Sequence, residues 1–175
     1  MDFMEGLPKY EEKEVIMVMV DWFNKYTCCM ALSHPDATPG VAKVFMNNVY
    51  KLHRMPALMV GDRDPMCLRK LWKEMFSIQG VNLLYSFAYH PQTDGQTEII
   101  NRFIEKYLRC MTGDCSSRWV RWLSLVEWWY NTNFHSTTKL TLNEVLYSFP
   151  PLINIPYFSK DSTVELVDEA ALTRR

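Results

Sequence analysis

Residues 86–111 read SFAYHPQTDGQTEIINRFIEKYLRCM, and the two halves of this stretch obey different rules. The first half combines Pro, Asp and Gly with amides and hydroxyls, the composition of a loop. From about Gly95 to Cys110 apolar residues recur at helical spacing, which predicts an amphipathic helix. Glu98 therefore falls on the first turn of a helix, directly behind a long polar loop. A carboxylate in that position complements the helix dipole. It is also held on a rigid element, as a ligand for a cation would need to be.

Working outward, β-like runs come first: MDFM at the start, EVIMVMVDW, and YTCCMAL. The middle run is almost unbroken apolar, as expected of a strand buried on both faces. GVAKVFMNNVYKLH has helical spacing, with Val41, Val44, Phe45 and Val49 on one side. ALMVGDRDP reads as a short strand ending in a polar turn, LRKLWKEMFSIQG as a helix closed by Gly80, and VNLLYS as another strand. Beyond the Gly95 helix and a Gly-Asp-Cys-Ser break, SRWVRWLSLVEWWYNTNFH predicts a second helix and TLNEVLYSF a last short one. PPLINIP is a Pro-rich linker to a terminal helix that opens at Ser162 and Glu165 with capping-box spacing. This order predicts an α/β fold, a mixed sheet with helices on its faces.

The 175 residues, 48% hydrophobic and 22% charged, suit one globular domain. A formal charge of −1 provides no global basic field for nucleic acid, so any chemistry on DNA must be local. Five cysteines without a secretory signal point to a reducing compartment. The longest apolar run, VIMVMV, is far too short to span a bilayer, so the expectation is a soluble intracellular protein. Both ends read as parts of something longer. No CxxC pair and no clustered histidines support a zinc site, and no GxSxG, Walker or HExxH signature occurs.

Asp62 follows PALMV at the carboxyl end of a predicted strand, where α/β sheets place ligand sites. Between Asp62 and Glu98 lie 35 residues, room for one helix, one strand and the loop. Such a connection can return Glu98 beside Asp62, and a third acid on a neighbouring strand would complete an oxygen-ligand cluster for Mg²⁺. Two such ions roughly 3.5–4 Å apart serve phosphoryl transfer. The plainer alternative makes Asp62 a turn former in GDRDP and Glu98 a dipole partner.

The words themselves add to this. SFAYHPQTDGQTEIINRFIEKYLRCM resembles the third catalytic block of integrases from Gypsy-type LTR retrotransposons, particularly plant ones, within the retroviral integrase superfamily. MDFMEGLPK, VIMVMVDWFNKY, FMNNVYKLHRMPALMVGDRDP, LWKEMFSIQG and EWWYNTNFHSTTKLTLNEVLY are similar to further blocks of that family, in order, over residues 1–149; residues 150–175 are the linker and the start of a C-terminal helix. The resemblance implies a ribonuclease H-like mixed five-stranded sheet flanked by helices, with its first strand truncated at the N-terminus because only Met1 precedes the acid on it. It implies a metal triad of Asp2, Asp62 and Glu98 holding two Mg²⁺, with Mn²⁺ as substitute. Asp21 is the other candidate for the first acid, but its block matches the family's second strand. Trp22, Gly61 and Cys67 depart from the usual Arg, Ser and Phe.

The activity so implied is DNA integration: a polynucleotidyl transferase core joining retrotransposon DNA ends to target DNA, in the nucleus, as a homo-oligomer through the core, with no membrane and no small-molecule substrate. The alternative is an inactive remnant serving as a nucleic-acid-binding or dimerisation module. Tyr89, His90 and Gln92 would contact a splayed DNA end; a plain loop role fits them equally. Along the helix Glu98, Arg102, Glu105, Lys106 and Arg109 form one stripe. Its cations suit a phosphate backbone, or an ordinary solvated face with a Glu98–Arg102 pair. Trp119, Trp122, Val126 and Trp129 read as core, with a dimer face as the other possibility.

Overall fold

The computed structural model describes residues 1–33, 38–61, 77, 80–85, 95–113, 116–136 and 138–151. Three strands come first, β1 (Asp2–Met4), β2 (Val15–Val20) and β3 (Thr27–Leu32). Helix α1 (Thr38–Phe45) continues through a π-helical turn, Met46–Tyr50, into the short α2 (Lys51–His53). Strands β4 (Leu58–Gly61) and β5 (Asn82–Tyr85) follow, then α3 (Gly95–Thr112), a 3-10 turn at Ser116–Arg118 and α4 (Val120–Thr132). A small hairpin, β6 (Phe134–His135) and β7 (Leu140–Thr141), leads into α5 (Leu142–Tyr147).

β2 pairs antiparallel with β1 on one side and β3 on the other, with Asp2 opposite Val18 and Met17 opposite Met30. β4 and β5 are parallel. Between the β1-β2-β3 and β4-β5 ladders, the Met1 amino group donates to the Val60 carbonyl at 2.8 Å, which sets the start of β1 beside β4. This is the mixed sheet that the sequence predicted, with helices on its faces.

The apolar run of β2 explains the layering. Successive side chains of a strand point to opposite faces. Val15 and Met17 join Val41, Phe45 and Val49 of the α1 segment in one core, while Ile16 and Val18 join Ile100, Ile104, Leu108, Trp119, Leu123 and Val126 in the other. Each fully buried aliphatic side chain contributes ~1.5–3 kcal/mol. Of the tryptophans, Trp119 is buried and donates Nε1 to the Pro8 carbonyl at 2.7 Å. Trp129 is partly buried and stacks on Phe103 at 5.2 Å between centroids. The core reading of this stripe therefore holds for Trp119 and Val126.

Two boundaries differ from expectation. α3 runs to Thr112, whose hydroxyl donates to the Leu108 carbonyl. α4 stops at Thr132 instead of continuing to His135. Asn133 turns extended and caps the helix, its backbone and side-chain N–H groups both donating to the Trp129 carbonyl, and Phe134–His135 pair as a strand with Leu140–Thr141. Gly80 has φ +70°, the left-handed conformation anticipated for a helix-closing glycine. The expected helix ahead of it, the turn after Gly61, and the linker and terminal helix beyond residue 151 lie outside the described residues. Among the described residues no helix is long and apolar enough to cross a membrane.

One contact was not foreseen. β3 lies at the end of its described ladder, and α4 covers its backbone with side chains. Asn131 donates Nδ2 to the Thr27 carbonyl at 2.7 Å and accepts the Thr27 N–H at 2.9 Å, while Glu127 accepts the Cys29 N–H at 2.7 Å. Asn131 thus imitates a neighbouring strand, which blunts an edge open to unwanted pairing. Burial pushes the Glu127 carboxyl up to about 7, opposed in part by the Cys29 hydrogen bond. The unfolded chain releases this proton near its ordinary value of 4.5, so this group favours the fold fully below that pH and less as pH climbs towards 7. The loss amounts to ~3 kcal/mol at most. Glu127→Gln keeps the acceptor without the titration, so in urea unfolding it should gain on the parent by ~1–3 kcal/mol at pH 8 relative to pH 4.5. A pH-independent difference would show that Glu127 is not held protonated in the fold.

Candidate active site

α3 lies on the sheet with Thr97, Ile100, Ile104 and Leu108 buried. These positions recur at three and four residues, so one face is anchored and the opposite one is turned out. Asn101 sits on the flank of the buried face. Its Nδ2 donates to Asp2 Oδ2 at 2.5 Å, tying the first turns of α3 to β1 across 99 residues of sequence. The other Asp2 oxygen accepts the Phe3 N–H at 2.9 Å. Glu98 stands one turn before Asn101, and residues three apart on a helix are neighbours. The Asn101 contact therefore brings the helical turn carrying Glu98 to the strand carrying Asp2.

The Glu98 carboxylate is 71% exposed and makes a loose pair with Arg102, 3.8 Å from Oε1 to Nη2. Asn101 Oδ1 is buried and has no hydrogen-bond partner among the described residues. A buried acceptor left unmade costs ~1–3 kcal/mol. Such an atom beside a carboxylate suits a site that receives a further donor or a cation. Asp2 and Glu98 are hard oxygen donors, the type that Mg²⁺ takes, so the residues present fit the implied metal by chemistry. Among the described residues no three His, Cys, Asp or Glu side chains gather closely enough to hold a metal. Asp62, the third expected ligand, lies outside the described residues, as do Tyr89, His90 and Gln92. The described part of β4 ends at Gly61, one residue short of Asp62, and Val60 is bonded to Met1.

Asp21 takes a different part. Its Oδ1 accepts the N–H groups of Phe23 at 2.7 Å and Asn24 at 3.1 Å, so it caps the turn between β2 and β3. Since Val18 is the partner of Asp2, Asp21 lies three residues further along, roughly 10 Å at 3.3 Å per residue.

The outward stripe of α3 carries two ion pairs, Glu98–Arg102 and the tighter Glu105–Arg109 at 2.6 Å, with Lys106 exposed between them. Exposed i,i+4 pairs are worth only ~0.3–0.5 kcal/mol. Both readings of the stripe survive: a solvated face at rest, with cations that a phosphate could take at little cost. Asn101 was missed in the sequence. Its signal was a polar residue flanking the apolar stripe of α3, three positions after a candidate ligand.

No protein-family model matches the chain. The transposon Tf2-3 polyprotein of Schizosaccharomyces pombe is 32% identical over 168 residues, which cover 94% of this chain and 12% of that protein. The Tf2-4 polyprotein of the same organism matches to the same extent. The chain therefore spans 12% of the length of these relatives. Among solved structures, the HTLV-2 integrase catalytic core domain in complex with magnesium superposes with a TM-score of 0.65 at 16% identity, covering 82% of this chain and 93% of that one. The BIV integrase catalytic core gives 0.63 at 17%, covering 84% and 93%. A chain of the simian T-cell lymphotropic virus intasome in complex with a PP2A regulatory subunit gives 0.67 at 16%, covering 94% and 59%. These likenesses establish the ribonuclease H-like fold. The sequence match to transposon polyproteins and the fold shared with integrase catalytic cores both fit the resemblance to Gypsy-type LTR retrotransposon integrases read in the sequence.

Proposed function

We propose that this chain is the core of a polynucleotidyl transferase that joins the 3′ ends of retrotransposon DNA to target DNA. The observation that carries the reading is the Asn101–Asp2 hydrogen bond, which sets the Glu98 turn of α3 against the acid of β1. The sequence match to transposon polyproteins and the integrase-core fold support it.

Asp2 and Glu98, together with Asp62, would hold two Mg²⁺, with Mn²⁺ as substitute. When bound, such ions lower the pKa of an attacking oxygen and stabilise a leaving one. In strand transfer the 3′-hydroxyl oxygen bonds to a target phosphorus as an existing P–O bond breaks. One ester replaces another, so no external energy source is required. The chain's own residues position the reactants. Asn101 fixes the rotamer of Asp2, and the buried Thr97–Ile100–Ile104–Leu108 face keeps α3 from sliding. Arg102, Lys106 and Arg109 offer a cationic track for DNA backbone leaving the site, which fits a chain whose net charge of −1 gives no general attraction. Tyr89, His90 and Gln92 would meet the DNA end. The reaction belongs in the nucleus, and a homo-oligomer would present two DNA ends to one target; the HTLV-2 integrase core, similar in fold, occurs in a trimeric and a dimeric form.

Strand transfer with a labelled end-mimicking duplex, in Mg²⁺ and in Mn²⁺, tests the reading. Glu98→Gln should lose at least about 100-fold in rate, the scale on which catalytic groups act. Its unfolding midpoint should stay at the parental value, because the side chain is largely exposed. Full activity in that variant, or DNA binding by the parent without any transfer, would overturn the catalytic assignment.

Asn101→Leu separates positioning from ligation. It should retain the fold, lower transfer by about 10–100-fold and raise the Mg²⁺ concentration needed for half-maximal rate. A rate loss without any change in metal dependence would mean that Asn101 does not act through Asp2.

A further inference from the structure

The turn between β2 and β3, residues 21–26, reads DWFNKY and carries two large rings into solvent. Trp22 is 60% and Phe23 91% exposed, and neither belongs to the two cores. The backbone beneath them is firmly tied. Besides the two N–H groups held by Asp21 Oδ1, Asn24 Oδ1 accepts the Tyr26 N–H at 2.8 Å, and the Asp21 N–H donates to the Tyr26 carbonyl at 2.9 Å. Lys25 donates to the Trp22 carbonyl and sets its ammonium 5.0 Å from the centre of the Trp22 ring. Across from the turn stands Arg54, which borders the same opening as Trp22, Phe23 and His53. Arg54 follows α2 with φ +65° and ψ −176°, a conformation that glycine takes without strain and other residues rarely adopt. An arginine there costs the fold stability, and strain of this kind gathers at functional sites. Among the described residues bordering the opening Asp21 is the one carboxylate, and its Oδ1 is engaged by the turn.

We propose that this rim is a nucleic-acid contact separate from the Asp2–Glu98 corner, and that it takes unpaired nucleotides, with Phe23 and Trp22 stacking on bases while Arg54 and Lys25 meet the phosphate backbone. Every base has a flat face, so exposed rings on a stiff turn hold bases without regard to sequence. Preorganisation matters because a ring already fixed in place loses little freedom on binding. Two exposed rings alone would suit an apolar protein surface equally well. The cations beside them, with a single carboxylate already occupied, select a partner that is planar and anionic. In a duplex each base is covered by its neighbours, so the ligand is a single strand or a splayed end. Lys25 keeps donors for a phosphate after its bond to Trp22, since an ammonium has three.

Binding of a labelled oligothymidylate of about 12 nucleotides, and of a duplex of equal length, is measured on the full chain in EDTA, with a 5-iododeoxyuridine version for photocrosslinking. The double variant Trp22→Ser, Phe23→Ser should weaken oligothymidylate binding about tenfold or more and keep the parental unfolding midpoint, because both rings are exposed. Arg54→Gly should weaken it at least about threefold and reduce the salt slope by about one, while raising the unfolding midpoint through relief of the backbone. A merely structural arginine would not lose affinity as the fold gains stability. The cross-link should map to residues 22–23. No binding by the parent, unchanged affinity in both variants, a cross-link confined to α3, or an equal loss of duplex binding would each overturn the proposal. Self-association abolished by the double variant, without oligothymidylate binding, would assign the rings to a protein contact and overturn it too. The probe carries no element end and no metal is present, so the result stands apart from the integration reading.

Discussion

Burial of both faces of β2 is the constraint on which the rest of the molecule depends. Val15 and Met17 need cover on one side of the sheet, and Ile16 and Val18 on the other. One helical layer cannot satisfy both, so the chain carries α1 to one face and α3 with α4 to the opposite one. Because β2 also pairs on both edges, it sets the register of β1 and hence the place of Asp2 opposite Val18. The position of Asp2 is a consequence of core packing.

Glu98 is positioned from the other direction. α3 is pinned by four buried residues at helical spacing, leaving Glu98 exposed at its start. Asn101 is the joint between these two systems. Its amide nitrogen satisfies Asp2, while its buried oxygen has no partner among the described residues. A packed core would remove such an atom or satisfy it. Its survival beside two carboxylates marks the place where stability and chemistry make different demands.

Polar side chains are used elsewhere in the fold for a structural end. Asn131 and Glu127 close the backbone of β3, one with two neutral hydrogen bonds and the other with a carboxyl that burial keeps near its protonated form. The same residue types thus serve opposite purposes within one domain. Desolvated Glu127 is suited to a seam, whereas exposed Glu98 is free to meet a cation.

Sequence alone determined the elements whose signals are local: the unbroken apolar run of β2 and the helical spacing of α3. Periodicity could not say where α4 ends, because the stop at Asn133 depends on a hairpin with Leu140–Thr141 that no helical pattern encodes. Only the tertiary structure decided that Asp21 caps a turn while Asp2 meets α3, that Asn101 is the joint between them, and that Asn131 stands in for a strand. Each of these is a contact between residues distant in the chain, 99 positions apart for Asn101 and Asp2 and 104 for Asn131 and Thr27. Local propensity is read from neighbours in sequence, whereas such contacts exist only once two-sided burial has folded the sheet between its helices.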